Sequence, residues 1–290
     1  MKKFLNFLIN TFIFLLILVG SLLVGWHFIQ ENVMLYFSQV EIIPEEFETN
    51  LIETLETADF DWGLVTELDW QGLLPYITYE VSPIGELIVP SVEIRLPILQ
   101  GTSNANVSLG AGTMVPDLVM GQGNYSLASH WHPNPRITFG SLDQIRVGDL
   151  IILRDANYLY IYETIIEDYV INPYRIDITD YVEGKIYVTL MTCTPGGRRR
   201  VMVRGEFVTQ ISLSDLADAE AMLAELEGLE METILEVIET LEHTEMPFPI
   251  IDITLAIGVS LILAAFVVWI ANRSSKRKGD EDSKVITNDL

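Results

Sequence analysis

The chain has 290 residues, a formal net charge of −24 and 49% apolar residues. That length accommodates one domain of ordinary size plus accessory segments. Between its two long apolar runs, the chain carries ten Lys or Arg against 36 Asp or Glu. A region this acidic repels phosphate backbones, which excludes nucleic acid as a partner.

The first apolar run covers about residues 4–28 and follows Lys2 and Lys3. It contains no charge and is long enough to cross a bilayer as a helix. A cleaved signal peptide would end its apolar region near Gly20 and Ser21, but the apolar character here continues to Trp26. We therefore expect a retained transmembrane helix over 4–28, preceded by a cytoplasmic stub over 1–3.

Residues 29–80 form the next segment, which we expect to be extracellular. Its acidic, weakly periodic stretch at 41–56 is suited to a solvated helix.

From Gly85 onward, short β-branched and aromatic runs alternate with Gly, Pro, Asn and Asp. Such spacing predicts a closed or sandwich-like, mostly-β domain over 81–211. The expected strands are 85–90, 91–98, 150–153, 158–165, 185–192 and 201–208.

Residues 212–249 are acidic, contain no Lys or Arg, and open with Ser212 and Asp215 at the spacing of a capping box. An intermittent apolar stripe follows: Leu216, Leu223, Leu226, Leu229, Ile234, Ile238 and Leu241. The favoured interpretation is a solvated helical stalk that ends at Pro247 and Pro249. The alternative is a helix packed against the domain or against another chain.

The second apolar run, 250–271, is followed by Arg273, Lys276, Arg277 and Lys278. Its length and basic border favour a second transmembrane helix over a buried core helix. Because basic residues flank the outer ends of both runs, we expect both termini in the cytoplasm, including a tail over 272–290, and the region between the two runs outside.

Cys193 is the only cysteine, so this exported domain has no intrachain disulfide. It ends a strand-like run just before Pro195, where a side chain is exposed on a rigid base. The next strand begins at Arg200, which a hairpin would return beside Cys193. A nearby cation lowers the pKa of a thiol, and a positioned arginine stabilises an oxyanion. The adjacent Arg198 and Arg199 are interpreted as solvated loop residues.

Of the four histidines, His27 belongs to the membrane border and His243 to the acidic segment. His130 and His132 lie together in the strand region and are the candidates for a proton carrier. A zinc site on this His-x-His pair is disfavoured because no third ligand or further cysteine accompanies it. We expect neither a metal nor a cofactor.

The chain resembles the sortase family of cysteine transpeptidases. Residues 189–193 read Thr-Leu-Met-Thr-Cys, residues 200–205 read Arg-Val-Met-Val-Arg-Gly, and residues 124–130 read Asn-Tyr-Ser-Leu-Ala-Ser-His, in the family's order. Upstream segments at 88–101 and 109–113 also fit, so the similarity covers about residues 58–210.

The resemblance implies an eight-stranded β-barrel with Cys193, His130 and Arg200 as catalytic residues, and Thr192 near the oxyanion or substrate. Sortases cut a Leu-Pro-x-Thr-Gly sorting signal between Thr and Gly through a cysteine thioester. They then pass the protein to an amine, here expected to be that of a peptidoglycan precursor such as lipid II. Implied partners are therefore surface proteins that carry the signal and the membrane itself.

The Ala-Ser-His form and residues 59–62 resemble class A, the housekeeping type, whereas a second span is more usual in pilus-building class C. The alternative acceptor is accordingly a pilin lysine. No lid is assigned, because residues 59–62 lack the proline of the class C motif. Calcium dependence is not expected, since Asp117 is the only acidic residue in 103–120. A third hypothesis is a non-catalytic scaffold that kept the barrel.

Overall fold

The computed structural model describes residues 2–38, 47, 58–61, 68, 70–76, 79, 81–175 and 177–213. These residues belong to two compact units, one over 2–33 and one over 34–213. The expected helix at 41–56 (apart from residue 47), the acidic segment from 214 onward and the second apolar run lie outside the described residues.

Helix α1 spans Lys2–Ser38, well beyond the expected end at residue 28. Its window Phe4–Ser21 has a mean hydropathy of 2.2, and none of that window is buried. By length and composition, this is the one helix among the described residues that can cross a membrane.

Eight strands form a closed barrel in the order β1-β2-β3-β4-β7-β8-β6-β5. They are β1 Gly85–Val89, β2 Ile94–Leu99, β3 Ala111–Thr113, β4 Asn124–Ala128, β5 Leu150–Arg154, β6 Tyr158–Ile171, β7 Tyr187–Cys193 and β8 Arg200–Ser212. The expectation of a mostly-β, eight-stranded barrel is confirmed.

Neighbouring strands are antiparallel except for two parallel pairs, β2 with β3 and β4 with β7. Strands β6 and β8 run to 171 and 212, past their expected ends at 165 and 208, and pair with each other through several register shifts. Such bulges bend and twist a strand, which lets two long strands wrap around the barrel.

Alternate side chains of each strand fill the barrel interior, as the period of two requires. On β1, for example, Leu87 and Val89 point into the core. Their interior neighbours include Leu96, Leu127, Leu153, Tyr162, Leu190 and Val203. The remaining side chains of each strand therefore face outward, and they form the surfaces discussed below.

Short helices decorate the barrel: α2 Trp70–Leu73, α3 Asn104–Leu109, and 3₁₀ turns at Leu74–Tyr76, Pro90–Val92, Leu142–Gln144 and Asp177–Thr179. The hydroxyl of Ser103 caps α3 by accepting a hydrogen bond from Asn106 N. Leu73 of α2 and Leu109 of α3 share a buried apolar cluster with Leu99, just outside β2.

Residues 58–61 lie against the loop between β2 and α3. Thr102 N donates to Asp59 O at 2.6 Å. Gly101 has a φ of +83°, and a Cβ there would come within 2.5 Å of Asp59 O. Glycine is therefore required at this position both for the left-handed backbone and for the close approach of the N-terminal segment.

Candidate active site

Cys193 and Arg200 are directly opposite each other on the antiparallel strands β7 and β8. Leu190 and Val203, which pair with each other on these strands, point into the core. By alternation, Cys193 and Arg200 both face outward, with Cα atoms about 5 Å apart. The hairpin therefore brings the cysteine and the arginine together as the sequence predicts.

The parallel pairing of β4 with β7 brings the segment that carries His130 alongside the end of β7. Ala128 pairs with Met191, and Ser129 N donates to Met191 O at 3.2 Å. His130 follows the end of β4 by two residues, and Cys193 is the last residue of β7, two residues beyond Met191. Cys193 thus lies between His130 on one side and Arg200 on the other.

The backbone around His130 is fixed by helix α3 and by the loop that follows. His130 N donates to Val107 O at 3.2 Å. The carbonyl of His130 accepts hydrogen bonds from Phe139 N at 3.0 Å and from the Thr138 hydroxyl at 2.7 Å. The imidazole therefore projects from a segment whose donor and acceptor are both satisfied.

The His130 imidazole is buried, with only 2% of its surface exposed. Burial disfavours the charged form and lowers the pKa of His130 from 6.5 to about 4. Its Nδ1 atom has no hydrogen-bond partner within the described part of the chain. At neutral pH the ring is thus uncharged and has one nitrogen available to accept a proton.

Thr192 precedes the cysteine and points toward the histidine segment. Its hydroxyl donates to Ser129 O at 2.9 Å, and the side chain is buried. The hydroxyl of Ser129 in turn donates to Gly110 O at 2.7 Å. The Thr192 side chain therefore ties β7 to the residue before His130, and the expected role of Thr192 near the oxyanion stays a prediction.

A tight turn over 194–199 positions Arg200. Gly197 N donates to Thr194 O at 2.8 Å, and Thr194 N donates to Arg199 O at 3.0 Å. Gly196 and Gly197 have φ values of +80° and +67°, in the region that favours glycine.

Arg200 is held by the carbonyls of that turn. Its Nη1 donates to Gly197 O at 3.1 Å and to Arg199 O at 3.3 Å. These contacts use one nitrogen of a group with five N–H donors, and only 8% of the residue is exposed.

The outer surface beside Cys193 is apolar and is covered by the loop between β6 and β7. Its buried members are Met114, Ala128, Ile171, Ile178, Met191 and Met202. Asn124 Nδ2 and Arg204 Nη2 both donate to Ile178 O, at 2.8 Å and 2.7 Å. The Asn124 side-chain oxygen accepts from the Thr189 hydroxyl at 2.7 Å, so one small network pins the loop to strands β4, β7 and β8.

The other candidates have different surroundings. His132 accepts a hydrogen bond from Asn134 N on its Nδ1, at 3.0 Å, within its own loop. Arg198 and Arg199 are exposed, as expected for loop residues. Among the described residues, no group of three or more His, Cys, Asp or Glu side chains is arranged to hold a metal ion.

Sequence patterns did not identify three residues that support the site: Ser129, Asn124 and Val107. Ser129 and Asn124 belong to the segment 124–130 that ends at His130, and both are buried polar residues with short hydrogen bonds. A polar residue at a strand position where the pattern predicts burial is the signal that could have identified them. Val107 acts through its carbonyl, which side-chain chemistry does not reveal.

Comparison with known protein sequences identifies one family. The family described as the Sortase domain matches residues 87–208. A protein named sortase A, from Streptococcus agalactiae serotype III (strain NEM316), is 31% identical over 212 residues, covering 70% of this chain and 85% of that protein. Sortase A of Listeria monocytogenes is 31% identical over 194 residues, covering 63% of this chain and 83% of that protein.

Among solved structures, that of Listeria monocytogenes sortase A has a TM-score of 0.43 and 34% identity, covering 45% of this chain and 90% of that one. The family match over 87–208 contains His130, Cys193 and Arg200.

Proposed function

Because the chain belongs to the sortase family of cysteine transpeptidases, we propose that it cleaves a Leu-Pro-x-Thr-Gly sorting signal between Thr and Gly. In this proposal Cys193 is the nucleophile, His130 the proton carrier and Arg200 the stabiliser of the oxyanion. The observation that supports it most directly is the position of these three residues on three neighbouring chain segments, with Cys193 on the middle one.

The first half of the reaction forms a thioester. Cys193 Sγ attacks the threonine carbonyl carbon while its proton passes to the neutral His130. The carbon–nitrogen bond to glycine then breaks, and His130 returns the proton to the leaving amine. Because burial keeps the His130 imidazole uncharged at neutral pH, one ring nitrogen carries a lone pair that can accept the thiol proton.

The second half reverses these roles. The acceptor amine attacks the thioester carbon, and His130 takes its proton. The bond between carbon and Sγ breaks, and the proton returns to Cys193. One amide bond is lost and one is gained, so the exchange needs no cofactor. In both halves the carbonyl oxygen gains negative charge, which the Arg200 guanidinium is suited to stabilise.

The decisive experiment uses the full chain in detergent with a fluorogenic Leu-Pro-x-Thr-Gly peptide and an excess of a glycine-based amine. We expect release of the Gly-terminal fragment and mass-spectrometric detection of threonine joined to the amine. Cys193→Ala should abolish both products. An inert wild-type protein, or equal turnover by Cys193→Ala, would contradict the proposal and favour a non-catalytic scaffold.

The acceptor that we propose is the amine of a peptidoglycan precursor, which makes the protein an anchor of surface proteins to the cell wall. The similarity to proteins named sortase A supports this choice over pilin polymerisation. A competition assay tests it, with a peptidoglycan stem-peptide amine and a lysine-bearing peptide at equal concentration. Preferential joining to the lysine side chain would assign the class C-like alternative instead.

We also propose that both apolar runs cross the membrane, with the barrel outside. Helix α1 and the basic residues beyond residue 272 support this topology. In a Cys193→Ala background, Asn50→Cys should react with an impermeant maleimide on intact protoplasts, whereas Ser274→Cys should react only after lysis. Labelling of Ser274→Cys on intact protoplasts would exclude the two-pass arrangement.

A further inference from the structure

The chain segment over residues 58–61, which we call the N-terminal strap, lies on the loop that joins β2 to α3. The Asp59 carbonyl accepts a hydrogen bond from Thr102 N at 2.6 Å. A Cβ on Gly101 would come within 2.5 Å of the same carbonyl oxygen and within 3.1 Å of the Ala58 Cβ. Gly101 and Thr102 are themselves buried. The strap therefore contacts this loop closely, backbone against backbone.

The strap keeps its shape through a local turn. Asp61 N donates to Asp59 Oδ1 at 2.9 Å, a pattern in which an aspartate side chain closes a turn with the backbone two residues on. Both aspartates are exposed, so their charges stay in water. The side chain of Asp59 thus shapes the strap, and its carbonyl binds the loop.

The loop that binds the strap also begins α3. Ser103, the N-cap residue of α3, directly follows Thr102. Asn106 Nδ2 donates to Gln100 O at 2.7 Å and to Gly101 O at 3.2 Å. The first turn of α3 is therefore held by the same residues that contact the strap.

Three backbone hydrogen bonds join the strap to His130. The first runs from Thr102 N to the Asp59 carbonyl. In the second, Val107 N donates to Ser103 O at 3.1 Å, one turn along α3. In the third, His130 N donates to Val107 O at 3.2 Å. Because Thr102 and Ser103 are adjacent, a displacement of the loop displaces this turn of α3 and, with it, the backbone of His130.

The position of the His130 ring depends on this backbone support. Its Nδ1 atom is buried and has no hydrogen-bond partner in the described part of the chain, so no described side chain orients the ring through that nitrogen. The backbone that carries the ring and the packing around it therefore set where its nitrogens lie. A misplacement of about 1 Å at a reacting group can cost ~10²-fold in rate.

We propose that the N-terminal strap is a positioning element of the active site: docked on Gly101 and Thr102, it holds α3 and thereby sets the position of His130 for proton transfer. Asp59 and Gly101 touch neither the substrate nor the thiol, and act only through the histidine. The inference rests on the proposed function in one respect, that His130 is the proton carrier.

Hydrogen exchange at single-residue resolution, in the full chain in detergent, tests the coupling without reference to activity. The Thr102 amide reports docking of the strap, and the His130 amide reports the hydrogen bond to Val107. A strap variant combines Ala58→Gly, Asp59→Gly, Phe60→Gly and Asp61→Gly. It keeps the chain length and every carbonyl but raises the entropic cost of ordering the segment.

In the strap variant we expect both amides to exchange at least about tenfold faster, because the two hydrogen bonds open together. For the sorting peptide, kcat should fall at least about tenfold while KM stays within about twofold, since the histidine is displaced and the peptide contacts remain. The Leu190 amide, inside the barrel sheet, should keep its wild-type rate and thereby show that the fold is intact.

Gly101→Ala perturbs the same contact from the other side, by driving a Cβ against the Asp59 carbonyl. Gly148→Ala is the matched control, because its φ of +95° is as strained for alanine as the +83° of Gly101, but its Cβ position is open. Gly101→Ala should accelerate exchange at Thr102 and His130, and Gly148→Ala should not. Combined with the strap variant, Gly101→Ala should add little, because the contact that it disrupts is already lost.

Four results would overturn the proposal. They are faster exchange at Thr102 with an unchanged His130 amide, a loss of kcat without any change at His130, full additivity of the two changes, and an unchanged Thr102 amide in both variants. A wild-type chain that cleaves no sorting peptide would remove the proposed function alone. The exchange rates of Thr102 and His130 would then still decide whether the strap holds the histidine.

Discussion

Cys193 at the end of β7 and Arg200 at the start of β8 face each other across an antiparallel ladder, joined by a six-residue turn. The pair sits at the last rung of the hairpin, where the sheet supports both backbones and the side chains face outward. The carbonyls of Gly197 and Arg199 accept hydrogen bonds from Arg200 Nη1, so the turn itself holds the guanidinium. Strand register and the turn together position the arginine beside the cysteine.

Removing the Arg200 guanidinium should lower turnover far more than it lowers binding. We expect Arg200→Ala to reduce kcat/KM for the sorting peptide by about 10²–10³-fold, the usual cost of losing one oxyanion donor. The matched control is Arg198→Ala, which removes an exposed arginine from the same turn and should leave kcat/KM within about twofold. Equal losses in the two variants would indicate a general effect of positive charge instead.

His130 should make stability depend on pH. The histidine of an unfolded chain binds a proton near pH 6.5, but the pKa of buried His130 is about 4. Between these values the unfolded state binds more protons, so the free energy of unfolding falls as pH decreases from 6.5 to 4. The loss amounts to about 3 kcal/mol over that window.

Denaturant unfolding at pH 7 and pH 4.5 measures this dependence. His130→Gln should remove the component, so its stability should change less with pH than that of the wild type. His132→Gln keeps the buried imidazole at position 130 and should retain the full decrease. A decrease of the same size in His130→Gln would show that other groups cause it.

Thr192 should contribute to catalysis by positioning His130. Thr192→Val keeps the shape but loses the hydrogen bond to Ser129 O, which should cost about 1–3 kcal/mol of stability. Because Ser129 directly precedes His130, kcat should also fall while KM changes little. Thr192→Ser restores the hydroxyl and should recover most of both losses. A rescue of stability without a rescue of kcat would argue against the positioning role.

Local sequence patterns were enough to predict the barrel strands and the pairing of Cys193 with Arg200. Alternating apolar residues mark strands, and a Pro-Gly-Gly turn predicts a hairpin, so Arg200 could be set beside Cys193 from adjacent sequence alone. The ends of β6 and β8 were missed because bulges interrupt the alternation just before the last residues of each strand. Strand β3 has only three residues, too few for any period to be recognised.

The approach of His130 to Cys193 could not be derived from local pattern. It depends on the parallel pairing of β4 with β7, strands separated in sequence by nearly 60 residues. Hydrophobic alternation identifies strands but not their partners, and parallel partners lack the short turn that identifies a hairpin. For His130, resemblance to a family supplied what the residue pattern left open.

The glycine at 196 should matter both for stability and for the position of Arg200. An alanine there meets no neighbouring atom but is forced to a φ of +80°, which costs about 1–2 kcal/mol. Relief of that strain would shift the turn whose carbonyls hold Arg200 Nη1. We therefore expect Gly196→Ala to lower both the unfolding temperature and kcat.

Gly148 provides the matched control. It has a φ of +95°, also meets no atom within 4 Å at the Cβ position, and lies before β5, outside the turn that holds Arg200. Gly148→Ala should cost a similar amount of stability and leave kcat unchanged. If both variants lose activity in proportion to stability, the turn has no specific role in positioning the arginine.

Asn124 should control the loop between β6 and β7 and, through it, the binding of the sorting peptide. Asn124→Asp keeps the size of the side chain but replaces the amide group that donates to Ile178 O at 2.8 Å and to Asp180 O at 3.2 Å. A carboxylate facing two carbonyls repels them, so the loop should detach from β4. Amide hydrogen exchange at residues 177–180 should accelerate, and KM should rise several-fold with a smaller change in kcat.

Asn157→Asp, at an exposed turn, controls for the added charge. Faster exchange at 177–180 with an unchanged KM would separate the loop from peptide recognition.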